Sequence, residues 1–188
     1  MQRHGDWIQT ASGGKLYPLD PVPEEIRLED IAHALAHINR YTGHAQVGFS
    51  VAQHSVLVAQ LVPDRWRLAA LLHDAAEYGL GDVSRPVKRD TYFQVGGNYI
   101  HFSVVEYRLL RVIFTALGVP RPDAEGWRQI ELADNILLAS EARQFLAPLQ
   151  QEWHKWIDGV TPLPEPLEPW PAARAKREFL RQYEELKQ

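Results

Sequence analysis

A chain of 188 residues is long enough to bury most of its potential surface in one core, and 45% apolar with 23% charged residues is a globular composition, neither disordered nor fibrous. Its 20 basic and 24 acidic side chains give a formal net charge of −4, which argues against nucleic-acid polymers and anionic membranes as partners but leaves room for a local basic pocket around one phosphate. There is no cysteine, so disulfides and thiolate metal sites are excluded, and any metal must be held by imidazole, carboxylate and water. The opening MQRHGDWIQT has no apolar stretch of signal-peptide type and no run approaches about 18 apolar residues, so a cytoplasmic location is expected.

Residues 1–25 read as an extended segment preceding a single domain that spans 1–188. Two short extended pieces flank a Ser12-Gly13-Gly14 turn, and Pro18, Pro21 and Pro23 stop any helix there. Trp7, Leu16 and Tyr17 are large enough to pack this segment on the domain. The first helix is predicted from Leu28 to Asn39, with Ile31, Leu35 and Ile38 at helical spacing. After a loop through Arg40-Tyr41-Thr42-Gly43-His44, Ser50 and Gln53 form a capping-box pattern for a helix reaching Leu61. Asp64 can cap a third helix that runs through Leu71, Leu72 and Ala75 and ends before Gly79.

Leu80 to Lys88 reads as a loop broken by Pro86, followed by a helix from His101 to Leu117 and another from Asp123 to Phe145. The proline-rich stretch Pro162 to Pro171 is a surface connection. Residues 172–188 predict a final helix with Phe179, Leu180 and Tyr183 available for docking, placed either over the site region or at an oligomer contact. About four to six helices with short connections make an all-α bundle with a short non-helical N-terminal segment.

The chemistry concentrates in Leu71-Leu72-His73-Asp74-Ala75-Ala76-Glu77, where an imidazole and two carboxylates interrupt an apolar helix. On a regular helix positions 73 and 77 share a face and 74 lies about 100° away. His54 in the second helix and Asp134 in ELADNILLA likewise break apolar runs, where an uncompensated charge is costly to bury. Each alone has an ordinary explanation: a satisfied core histidine, a chance His-Asp dipeptide, an Asp paired with an arginine. Together, His54, His73, Asp74 and Asp134 supply enough ligands for one divalent transition metal. Two imidazoles and two carboxylates suit Zn²⁺, Mn²⁺, Co²⁺, Ni²⁺ or Fe²⁺, and carry too much nitrogen for a typical Mg²⁺ or Ca²⁺ site.

The pattern His54 … His73-Asp74 … Asp134 resembles the metal signature of the HD-domain phosphohydrolases, a superfamily of helical enzymes acting on phosphate bonds of nucleotides. Similarity is closest to the small bacterial 5′-deoxynucleotidases and covers roughly Ile38 to Ala139 through Asn39-Arg40-Tyr41, Gln53-His54-Ser55, Glu77, Gly81-Asp82 and Pro86-Val87-Lys88. The tryptophan common after the arginine is Tyr41 here, and TGHAQVGFS between Tyr41 and His54 departs from the closest pattern. Lys15-Leu16-Tyr17-Pro18-Leu19-Asp20-Pro21 resembles another branch, with phage members that dephosphorylate deoxynucleoside triphosphates and prefer dATP.

The resemblance implies an HD-domain helical bundle that hydrolyses phosphate from nucleotides, foremost (deoxy)nucleoside 5′-monophosphates. It assigns catalysis to Glu77, Arg40 and Asp82, and substrate binding to Arg40, Tyr41, Asp82 and Lys88; Asp82 could instead cap a turn, Lys88 be a solvated loop residue, and His44 line a pocket. The alternatives are a deoxynucleoside triphosphate phosphohydrolase, a cyclic-nucleotide phosphodiesterase and a non-catalytic nucleotide-binding protein. The expected partner is a small nucleotide, and the resemblance leaves homo-oligomerisation open.

Overall fold

The computed structural model describes residues 3–148 and 157–188, so Met1 and Gln2 of the expected extended segment lie outside the described residues. The protein is mostly helical. Eight α-helices are defined among the described residues: α1 (Leu28–His37), α2 (Val51–Leu61), α3 (Asp64–Leu71), α4 (Glu77–Leu80), α5 (Arg85–Asp90), α6 (Phe102–Ala116), α7 (Ala124–Phe145) and α8 (Ala172–Lys187). Two small antiparallel hairpins accompany them, β1 (Ile8–Gln9) with β2 (Lys15–Leu16) and β3 (Tyr92–Val95) with β4 (Asn98–His101). No helix of the described residues is long and apolar enough to cross a membrane.

The core is organised around α2. Val51, Ala52, Val56, Val58 and Ala59 are buried, as are the polar Gln53, His54 and Ser55. A helix enclosed on nearly every side must be covered by several neighbours, and α2 contacts α1, α3, α7 and α8. Ser50 caps it as expected, accepting the Gln53 backbone N–H at 3.2 Å. The second half of the capping box does not form, because the Gln53 amide is drawn elsewhere. It donates to the Glu168 carbonyl at 2.7 Å and accepts the Trp170 N–H at 2.8 Å.

Gln53 is one of several staples on the proline-rich strap. Ser140 Oγ accepts the Leu163 N–H and Arg143 donates to the Leu163 carbonyl, both at 2.8 Å. Gln144 takes both backbone groups of Leu167, at 2.6 and 2.8 Å. After the strap, α8 buries Ala175, Phe179 and Tyr183 against the core and packs on α1, α2 and α3. It therefore completes the core, with Phe179 and Tyr183 docking as the sequence expects.

Four further expectations change. Asp64 begins α3 instead of capping it, with Pro63 at the cap and no side-chain cap bond. The third helix breaks at Leu72, because His73 Nδ1 donates to the Ala70 carbonyl at 2.7 Å. That carbonyl would accept the Asp74 N–H in a regular helix, and residues 72–76 run as tight i→i+3 turns before α4. The stretch expected to be loop contains α5, with Pro86 in its first turn where a missing N–H is harmless. The β3–β4 hairpin adds strand structure outside the helical expectation. Its signal is Gly96-Gly97, both at positive φ (57° and 84°), the backbone a tight hairpin turn needs.

At the N-terminus the extended segment does pack: Leu16 is fully buried, while Trp7 stays partly exposed under Lys15. Its Ser12 turn is fastened to buried Asp30, which accepts Ser12 N–H at 2.7 Å and Ser12 Oγ–H at 2.8 Å. Gly126, in the first turn of α7, sits where a Cβ would lie 2.6 Å from Trp66 Nε1 and 2.7 Å from the Pro122 ring. Gly126→Ala should therefore destabilise the protein by about 1–3 kcal/mol through overpacking. Urea denaturation would check this; an unchanged midpoint would mean that Trp66 and Pro122 have room to retreat.

Candidate metal centre

Because α2 is buried all round, His54 has no access to solvent and must find partners inside the protein. Its Nδ1–H meets Glu141 Oε1 on α7 at 2.7 Å, and Glu141 is itself fully buried. The bond directs the other ring nitrogen, Nε2, at two more carboxylates. Asp134 Oδ1, on α7, lies 3.0 Å away, and Asp74 Oδ2, in the α3–α4 turn, 3.7 Å away. His73 repeats the arrangement: its Nδ1–H is committed to the Ala70 carbonyl, and its Nε2 lies 3.2 Å from Asp74 Oδ2. Ligand atoms of His54, His73 and Asp74 all fall within 4.8 Å of one another, and Asp134 adjoins this trio through His54.

The donor set fits a cation. With Nδ1 protonated on each ring, the neutral Nε2 atoms present lone pairs to carboxylate oxygens, a repulsive contact unless positive charge lies between them. Both Nε2 atoms are buried without a hydrogen-bond partner of good geometry among the described residues, and Asp134 approaches His54 Nε2 closely as a charge partner. His54, His73, Asp74 and Asp134 could all contribute to holding one divalent ion. The structure thus brings together the four residues that the sequence nominated, but from two helices and a turn instead of three helices.

Without an ion, protons take up part of this charge. Burial and Arg40 push the His54 imidazole down, but Glu141 and Asp134 prevail and raise it to about 9. Burial alone would raise Asp74; His73, His54 and Arg40 instead hold its carboxyl far below the usual range. Glu77 goes the other way. It is buried, Asp74 and Asp82 repel its charge, and its carboxyl is raised well above normal against the pull of Lys88.

A cavity of about 300 Å³ opens beside the cluster, lined by Arg40, Tyr41, Glu77, Asp82 and Lys88 together with Asp74 and Asp134. A second, of about 420 Å³, shares Asp74, Glu77 and Lys88 and adds His73 and Glu106. Lys88 Nζ sits 2.7 Å from Glu106 and 3.6 Å from Glu77 Oε1, so it is a held ion-pair partner and not a solvated loop lysine. Glu77 Oε2 has no protein partner. Asp82 lines the cavity, and burial raises its carboxyl. His44 is exposed and outside the lining.

The sequence reading missed Glu141. Its carboxylate accepts His54 Nδ1–H on one oxygen and, on the other, Arg40 Nε–H at 2.8 Å and the Tyr41 hydroxyl at 3.0 Å. The signal was present: Glu141 follows Asp134 by seven residues, two turns along the same face of an apolar helix. Tyr41 and Thr42 hold φ of 60° and 53°, a left-handed backbone unusual for side chains of their size. That strain sits on the cavity wall, where strained backbone tends to be functional.

A proton and a metal ion compete for the same His54 lone pair. Because the folded value of about 9 exceeds the ordinary 6.5, protonated His54 stabilises the ion-free fold fully below about pH 6.5, and that contribution disappears as pH rises through about 9. Metal affinity should change oppositely. Titration with Mn²⁺ or Zn²⁺ should give one ion per chain, tighten as pH rises from about 6.5 to 9 and release protons on uptake. Uptake independent of pH, or His54→Ala protein binding as well as wild type, would refute this centre.

No protein-family profile matches the chain. It is similar to an uncharacterized protein of Rhodobacter capsulatus, 40% identical over 148 residues that cover 73% of this chain and 72% of that relative. The uncharacterized protein YfdR of Escherichia coli is 34% identical over 137 residues, covering 73% of this chain and 71% of YfdR. At that identity and coverage, the chain belongs to the protein family of which these two relatives are members.

Proposed function

We propose that this protein is a divalent-metal-dependent phosphohydrolase of the HD-domain type, acting on (deoxy)nucleoside 5′-monophosphates. One observation carries the reading: two imidazole nitrogens without a hydrogen-bond partner among the described residues and two carboxylates converge beside a cavity that also holds an arginine, a lysine and a carboxyl of raised proton affinity. Resident cations suit an anionic substrate, and the sequence pattern of the His-Asp cluster supports the same assignment.

When bound, the ion supplies positive charge to a phosphoryl oxygen and makes water more acidic. Arg40 neutralises the phosphate; its Nε is held by Glu141, which fixes the plane of the guanidinium. Glu77 takes a proton from the attacking water and returns one to the departing sugar oxygen. A buried carboxyl with a raised affinity for protons is a stronger base than an ordinary carboxylate and can serve both steps. Lys88 steadies Glu77 through Oε1, leaving Oε2 for the water. Asp82 accepts a hydrogen bond from a sugar hydroxyl. Tyr41 offers its ring to the sugar, since its hydroxyl is committed to Glu141.

The decisive experiment is a matrix of divalent metals against ribo- and deoxynucleoside mono-, di- and triphosphates and cyclic nucleotides, with every product identified. Phosphate release from monophosphates is expected. Preferential triphosphate turnover would move the substrate class, ring opening would make the protein a phosphodiesterase, and retained metal without hydrolysis would make it a binding protein.

Two variants test the residue roles. Arg40→Ala should keep close to one metal per chain but lose about 2–5 kcal/mol of substrate binding if the contact is fully desolvated; unchanged affinity and turnover would remove Arg40 from the phosphate. Glu77→Gln should bind metal and substrate nearly normally and turn over about 10²–10⁴-fold more slowly. Wild-type single-turnover rates in the fully metallated variant would reject Glu77 as the base, and loss of the metal would make it a ligand.

A further inference from the structure

Glu141 is the most enclosed acid of the site and enters the chemistry above only as the holder of Arg40. It lies at 0% exposure, and both its oxygens are fully used by protein donors. The three groups it gathers come from two elements. His54 belongs to α2, while Arg40 and Tyr41 belong to the loop after α1, and α7 supplies the carboxylate itself. The same helix carries Asp134 two turns away, so one rigid element presents a ligand candidate with one residue and fastens another ligand candidate with the next.

We propose that Glu141 is the positioning residue of the centre: it fixes His54 as the Nδ1–H tautomer so that Nε2 faces the ion, and with its second oxygen sets Arg40 at the cavity wall. The inference deepens the metal-dependent reading above and depends on it for the role of Nε2. Hydrogen-bond arithmetic gives the carboxylate its force. Three donors converge on Glu141, and only an acceptor on both oxygens can serve His54 on one side and Arg40 with Tyr41 on the other. An amide of the same shape has a single acceptor oxygen. If that oxygen stays with Arg40 and Tyr41, the amide N–H₂ faces His54 Nδ1 and favours the opposite tautomer, whose Nε2 carries a proton and cannot bind a metal. If it turns to His54, the amide donors face the guanidinium and the hydroxyl.

The distinguishing variant is Glu141→Gln, nearly isosteric, read with zinc alone as the probe. Expected results are a folded protein, zinc affinity weakened about 10–100-fold, and a KM for the best nucleotide that rises more than kcat falls at saturating metal. Nitrogen-15 NMR of the histidine side chains gives a readout that a merely structural role would not move. Neutral His54 in metal-free wild type should carry its proton on Nδ1, and the variant should lose that signature. A folded Glu141→Gln protein with wild-type zinc affinity would overturn the proposal. So would a wild-type spectrum with the proton of neutral His54 on Nε2, a measurement that decides the matter even if the variant fails to fold. Wild-type protein that binds no divalent ion but shows the Nδ1–H tautomer would sink the metallophosphohydrolase reading while upholding the Glu141–His54 pairing, so the two failures are distinct.

Discussion

Enclosure of α2 on almost every side is the constraint from which the rest of the structure follows. A helix shielded from water must satisfy its polar side chains within the protein or leave them at a cost of about 1–3 kcal/mol each. Gln53 reaches outward to the strap and His54 inward to Glu141, so adjacent residues tie the same helix to two distant parts of the chain. The second of these ties creates the site, because orienting one face of the imidazole determines what the opposite face can bind.

Charge reinforces that picture. Asp74, Glu77, Asp82, Asp134 and Glu141 crowd a region where Arg40, Arg85 and Lys88 are neighbouring cations. The resulting excess of negative charge has a graded outcome. Asp74, beside His73, His54 and Arg40, is held far below the ordinary carboxylate range, whereas Glu77, buried and repelled by Asp74 and Asp82, is pushed above it. Carboxyls pushed apart in this way can divide labour, one holding positive charge and the other exchanging protons.

Much of the centre was legible in the sequence because its residues interrupt apolar runs. His54, His73-Asp74 and Asp134 each stand where a helix is otherwise fit for burial, and the Ser50 cap and the Asp123 start of α7 are local signals that held. What was not legible depends on contacts between distant residues. The break after α3 needs the His73 ring to take a carbonyl from its own helix. The departure of Gln53 from its capping box needs the strap, more than a hundred residues further along. Glu141 stands near a helix end, followed by Arg143 and Gln144, and only the packing of α7 on α2 gives it a fully buried place. The docking of α8 is legible in Phe179 and Tyr183, but its place is not: an amphipathic helix announces that it will dock, not where.

The strap has a consequence for the order in which the molecule can be finished. Its staples, Gln53 and Ser140, are the immediate chain neighbours of His54 and Glu141, and α8 follows directly behind it. During synthesis, every residue of the centre emerges well before the segment that clamps α2 to α7 from outside. Until those bonds form, His54, Asp74 and Asp134 sit on helices that lack this outer fastening. The clamp on α2 and α7 is thus supplied by residues that follow those of the centre in the chain and do not belong to it.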